Sequence, residues 1–124
     1  MQKKTILDAN AILRYVLDDV KEQADIVENA LKTKEVLILP EVLAEVIYVM
    51  TKYYNLPNDT TAEYICAFLD DAGCVSDLLI NAVKLFGKEN IDFVDCLLSE
   101  HSTDYEILTF DKKLLKLIKR TNDQ

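Results

Sequence analysis

The stretch Thr5-Ile6-Leu7-Asp8-Ala9-Asn10-Ala11-Ile12-Leu13 decides how the chain is read. Thr5-Ile6-Leu7 is an apolar run too short for a helix, and Asp8 ends it. Beyond Asp8 the apolar residues recur at helical spacing, as Ala11-Ile12-Leu13 and Tyr15-Val16-Leu17. A continuous run followed by a 3.6-residue period is the mark of a buried strand feeding a helix. We therefore expect a strand at Thr5–Leu7 and a helix from about residue 10 to 18.

The same switch occurs twice more. Val36-Leu37-Ile38-Leu39 is a continuous apolar run closed by Pro40, which suits the first turn of a helix. That helix is expected from Glu41 to Tyr54. Glu106-Ile107-Leu108-Thr109-Phe110 reads as a strand, with Asp111 opening a last helix through Lys119. Between these units lie an amphipathic helix over Lys21–Lys32 and a helix through Asp71 capped by Asp59 or Thr60. Cys74-Val75-Ser76 reads as a weak edge strand. A helix over Leu78–Phe86 is stopped by Gly87, and another covers Phe93–Glu100. Strands alternating with helices predict an α/β fold with a short, mostly parallel central sheet, covered on both faces as an α/β/α sandwich. Ligands in such sheets bind beyond the carboxyl ends of the strands.

Composition narrows the class. A length of 124 residues suits one domain, 1–124, and half of the residues are hydrophobic. Two glycines and two prolines argue against a turn-rich all-β fold and against disorder. The opening Met1-Gln2-Lys3-Lys4 and its short apolar run are not a secretory segment, and the most apolar window, Val36–Met50, is broken by Pro40, Glu41 and Glu45. No membrane association is expected. The three cysteines, Cys66, Cys74 and Cys96, are odd in number and far apart, which fits buried thiols in a reducing cytoplasm.

Some carboxylates do not belong to the fold pattern. Asp8 and Asp111 follow strand ends, and Asn10 stands two residues past Asp8. Glu45 has apolar neighbours at nearly every helical offset, so burial is expected to demand a partner for it. Asp92 and Asp95, spaced i, i+3, share a helix face near its N-terminus. The plain reading of Asn10, Asp92 and Asp111 is a helix cap, and that of Glu45 a polar stripe with Glu41 and Lys52. Gathered together, such acids repel and call for a cation, and all-oxygen ligands select Mg²⁺ or Mn²⁺ over zinc. The chemistry that follows is phosphodiester hydrolysis. The single histidine, His101, argues against a histidine-based ribonuclease.

Ile6-Leu7-Asp8-Ala9-Asn10-Ala11-Ile12-Leu13-Arg14-Tyr15 resembles the opening strand and helix of PIN-domain nucleases. Glu45 looks like the family's second acidic position, Asp92-Phe93-Val94-Asp95 like its third block and Leu108-Thr109-Phe110-Asp111 like its fourth, in the family's order. The resemblance implies a divalent-metal endoribonuclease with Asp8, Glu45, Asp95 and Asp111 as catalytic and metal-holding residues. Asp8 and Asp95 would be the most direct ligands, with Asn10, Asp92 and Thr109 in support. By size the nearest subgroup is the VapC-type toxin of toxin–antitoxin pairs, which implies an RNA substrate, a small antitoxin partner and a homodimer. Family members usually add an edge strand after the last helix. No apolar run follows Lys119 here, so the sheet is expected to lack that strand.

The net charge of −8 runs against nucleic-acid binding, which usually draws on a basic surface. The cations at hand are Lys112, Lys113, Lys116, Lys119 and Arg120 on the last helix, whose plain reading is a solvated face, and Arg14. The alternative to an enzyme is a PIN-like module that binds protein or RNA without catalysis. A phospho-acceptor receiver fits less well, because Ala9 and Asn10 follow Asp8. An aspartyl-nucleophile phosphatase needs D-x-D where this chain has Asn10.

Overall fold

The computed structural model describes residues 3–123; Met1 and Gln2 of the opening stretch, and Gln124, lie outside the described residues. The element order is β1 (Thr5–Ile6), α1 (Ala9–Leu17), α2 (Lys21–Thr33), β2 (Val36–Leu37), α3 (Pro40–Tyr48), a π-helical turn (Val49–Tyr53), α4 (Asn58–Asp71), α5 (Asp77–Lys88), α6 (Phe93–His101) and α7 (Lys112–Asn122). The fold is a mostly helical α/β structure with a short parallel two-stranded sheet. Thr5 pairs with Val36 and Ile6 with Leu37, and Thr5 N–H donates to the Glu35 carbonyl at 2.8 Å.

The helices begin and end where local chemistry dictates. Asp8 caps α1, its carboxylate accepting from Ala11 N–H at 2.8 Å, and Asp18 closes that helix in the left-handed region at φ 50°. Pro40 takes the first turn of α3, where its missing N–H costs nothing. Gly73, at φ 67°, ends α4: Cys74 N–H reaches back to the Leu69 carbonyl, a six-to-one bond that only a left-handed residue allows. Ser76 caps α5.

Helix packing supplies the core. α1 lies against α2 and α3, α4 against α5, and α5 against α6, with α7 on α6. Ile12, Leu43, Val46, Met50, Ile65, Phe68, Val83 and Cys96 are wholly buried. α5 runs close past the N-terminal turn of α4: a Cβ at Gly87 would stand 2.6 Å from the Ala62 Cβ. Gly87 thus serves contact between helices; it does not stop α5, which continues to Lys88.

Two expectations about strands fail. Glu106–Phe110 forms no regular element and joins no sheet: among the described residues its backbone makes no hydrogen bond to another strand, and Leu108 and Phe110 are 89% and 93% exposed. A β-prone sequence becomes a strand only where a neighbour completes its ladder. Cys74–Ser76 likewise stays outside the sheet. In the two-stranded sheet Ile6 and Leu37 keep their side chains partly exposed, while Leu7 and Ile38 just beyond the strands are buried. Among the described residues no helix is long and apolar enough to cross a membrane. The cysteines are free, with Cys96 buried and Cys66 and Cys74 half-buried.

Candidate functional site

The third acidic block is the most developed part of the site. Asp92 caps α6, one carboxylate oxygen accepting from Val94 N–H at 3.2 Å. This fixes the first turn and sets Asp95 one turn further on, half-buried. Burial pushes the Asp95 carboxyl above its ordinary range, and the negative charges of Asp92 and then Asp111 push it the same way. The last strand-like segment brings Asp111 in. Its backbone N–H donates to the Thr109 hydroxyl at 3.1 Å, and its carboxylate caps α7 through Lys113 N–H at 2.8 Å and Leu114 N–H at 3.3 Å. Asp92 and Asp111 therefore both act on Asp95, and the Thr109 hydroxyl steadies the backbone at Asp111.

Glu45 sits differently from its expectation. It is exposed, on a solvent-facing stripe of Glu41, Glu45, Tyr48 and Lys52. Those positions lie about one or two turns apart, so the apolar neighbours in sequence point elsewhere, and burial demands no partner for it. Glu45 does share a cleft of about 430 Å³ with Asp92, between α3, the start of α4 and the start of α6. Asp8 is exposed and occupied as the cap of α1; Asn10, which follows it inside the helix, is exposed and caps nothing. Asp8 and Glu45 are not among the charges acting on Asp95.

The donor set suits a hard divalent cation in kind. It offers carboxylate oxygens and no soft ligand, and it holds Asp95 under like-charge repulsion that a cation would relieve. Asp8, Asp92 and Asp111 each spend one oxygen on a helix cap and keep the second. Among the described residues, however, no three acidic, histidine or cysteine side chains stand together as a ligand set.

Other predicted groups find ordinary partners. Arg14 pairs with Asp19 at 3.1 Å. His101 meets the edge of Tyr105 at the exposed end of α6. On α7 the five cations are exposed, and only Arg120 is in an ion pair among the described residues, with Glu89 at 2.9 Å. The cleft beside Glu45 contains residues that sequence reading passed over, Tyr48, Asn58 and Asn90. The signal for Tyr48 was its place four residues before Lys52 and three after Glu45 on the polar stripe.

Comparison with protein families matches the PIN domain over residues 5–120, and the chain belongs to the PIN domain family. Its fold is thus of the nuclease type, a class commonly made of metal-dependent ribonucleases. Searches of curated proteins and of solved structures found no match.

Proposed function

We propose that this PIN-domain protein is a Mg²⁺- or Mn²⁺-dependent endoribonuclease, the VapC-type toxin of a toxin–antitoxin pair, acting in the cytoplasm. The observation that carries the reading is the half-buried Asp95 beside Asp92 and Asp111, acids brought from two distant parts of a chain of nuclease family. Asp8 and Asp95 would hold the metal most directly, with Glu45 and Asp111 completing the site. Bound there, a divalent ion would lower the pKa of a water and stabilise the leaving oxygen. The chain's own part is to position these groups. Asp92 fixes the first turn of α6 under Asp95, Thr109 fixes the backbone at Asp111, and the caps at Asp8 and Asp111 hold both acids at helix starts. Lys112, Lys113, Lys116 and Lys119 line the helix that Asp111 opens, are in no ion pair among the described residues, and would meet RNA phosphate, offsetting locally the acidic net charge. A small antitoxin and a second copy of the chain are the proposed partners.

A PIN-like binding module without catalysis is the second reading. It is favoured by the absence, among the described residues, of a complete three-ligand set. Cleavage of structured RNA in Mg²⁺ or Mn²⁺ separates the two. Cleavage that EDTA stops, and that Asp8→Asn and Asp95→Asn each abolish, supports the nuclease. Activity untouched by both substitutions would remove these ligands from the reading. Growth arrest that persists in Asp95→Asn would favour the binding module. A reading frame for a small DNA-binding protein immediately upstream would support the toxin assignment.

A further inference from the structure

We propose that the cleft between α3 and α6 is a nucleobase subsite in which Tyr48 stacks on an unpaired base of single-stranded RNA. The inference rests on the RNA reading above and adds a recognition element to it. Its size, about 430 Å³, falls within the roughly 300–1,000 Å³ of small-ligand sites. Its position is beside the acids: Glu45 and Asp92 form part of its wall. Asp92 belongs both to this wall and to the charges that act on Asp95.

Charge decides which part of a nucleotide enters. The lining carries two carboxylates, Glu45 and Asp92, against one cation, Lys52. Such a wall repels phosphate but tolerates a neutral aromatic ring. Tyr48 offers that ring a face, being 65% exposed at the end of α3. Asn58 and Asn90 add amide donors and acceptors suited to a base edge. Lys52 takes part in no ion pair among the described residues and is free to meet the flanking phosphate.

The backbone beneath the ring is unusual. α3 passes at Tyr48 into the π-helical turn Val49–Tyr53, where Tyr54 N–H reaches the Val49 carbonyl five residues back. Thr51 fastens this turn, its hydroxyl donating to the Ile47 carbonyl at 2.9 Å. Single π-turns within helices are found often at functional positions. Here the turn lies under Tyr48, Thr51 and Lys52, all three of which line the cleft. Aromatic faces of this kind bind unstacked bases in single-stranded RNA.

The test is a titration of the full chain with a single-stranded RNA oligonucleotide carrying 2-aminopurine, in EDTA at low ionic strength, read by fluorescence quenching. Wild type and Tyr48→Phe are expected to quench alike. Tyr48→Ala should bind about tenfold more weakly and lose the quench, a change within the range of base–aromatic stacking. Its melting temperature should match that of wild type, because the ring is exposed. Quenching by Tyr48→Ala equal to wild type, or none by wild type, would overturn the subsite. If wild type quenches normally yet cuts no RNA in Mg²⁺ or Mn²⁺, the subsite stands and the nuclease reading falls. If wild type cuts RNA and Tyr48→Ala both cuts and quenches unchanged, the subsite falls alone.

Discussion

The Tyr15 hydroxyl donates to Asp71 Oδ2 at 2.7 Å, joining α1 to the last turn of α4 across 56 residues of sequence. Tyr15 also tilts against Phe68, with ring centroids 6.0 Å apart, so the bond sits on a packed aromatic contact. The Asp71 carboxylate, by accepting this proton, is the main reason the phenol is pushed up from 10.0 to about 12, with burial second. Tyr15→Phe keeps the packing and removes the bond, at an expected cost of about 1 kcal/mol in urea unfolding. The pH dependence follows from the sign. A phenol whose folded pKa is raised holds its proton more tightly in the native state, so its contribution is complete below about pH 10 and is lost as pH rises through about 12. The difference between wild type and Tyr15→Phe should therefore be constant from pH 7 to 9 and shrink above pH 10.

Gly87→Ala sets helix propensity against packing. Alanine is the better helix former by about 1 kcal/mol. Its Cβ, however, would meet that of Ala62 at 2.6 Å, closer than two carbons approach, with the Asp59 Cα and the Asn58 carbonyl just behind. Overpacking of this kind costs about 1–3 kcal/mol, so a net loss of stability is expected. A rise in melting temperature would show that α4 and α5 separate freely.

Asparagine and alanine should behave differently at the acids that cap helices. Asp8→Ala and Asp111→Ala lose the bonds to Ala11, Lys113 and Leu114 and should each cost about 1 kcal/mol. Asp8→Asn and Asp111→Asn keep a capping oxygen and should melt near wild type. Asparagine variants are for this reason the clean probes of chemistry. Thermal melts in EDTA decide it, and equal destabilisation by both substitutions would refute the caps.

Asp95 is held at a cost to the fold. Its carboxylate is partly desolvated and repelled by Asp92 and Asp111, so Asp95→Asn should raise the melting temperature in EDTA. Mg²⁺ or Mn²⁺ should stabilise wild type by binding the native state and leave the variant little changed. A variant that melts lower than wild type without metal would show that the carboxylate has a structural partner.

The sequence-based reading succeeded where local chemistry acts alone. The Thr5 and Val36 runs pair in parallel, and every predicted helix forms within a few residues, because periodicity and caps are read over a single turn. It failed where a neighbour decides. Glu106–Phe110 has strand composition but no ladder partner, and Gly87 reads as a stop until Ala62 is seen across from it. Of the candidate site, Asp92 and Asp111 act electrostatically on Asp95, but among the described residues no three acids form a ligand set. Glu45 was expected among apolar neighbours, but its side chain follows the exposed side of α3. Tyr48 went unnoticed because a lone tyrosine in an apolar helix looks like core.

Leu108 and Phe110 remain as two large hydrocarbon groups on open backbone, with Ile6 and Leu37 also uncovered elsewhere on the surface. Backbone left without ladder partners beside exposed apolar side chains is adhesive toward other chains. Its eight surplus negative charges hold copies of this protein apart in dilute buffer. Salt near 0.1 M shortens the reach of that repulsion to about 10 Å. Colloidal behaviour should therefore turn on ionic strength, with the purified protein dispersed when salt is low and self-adhering as salt is raised.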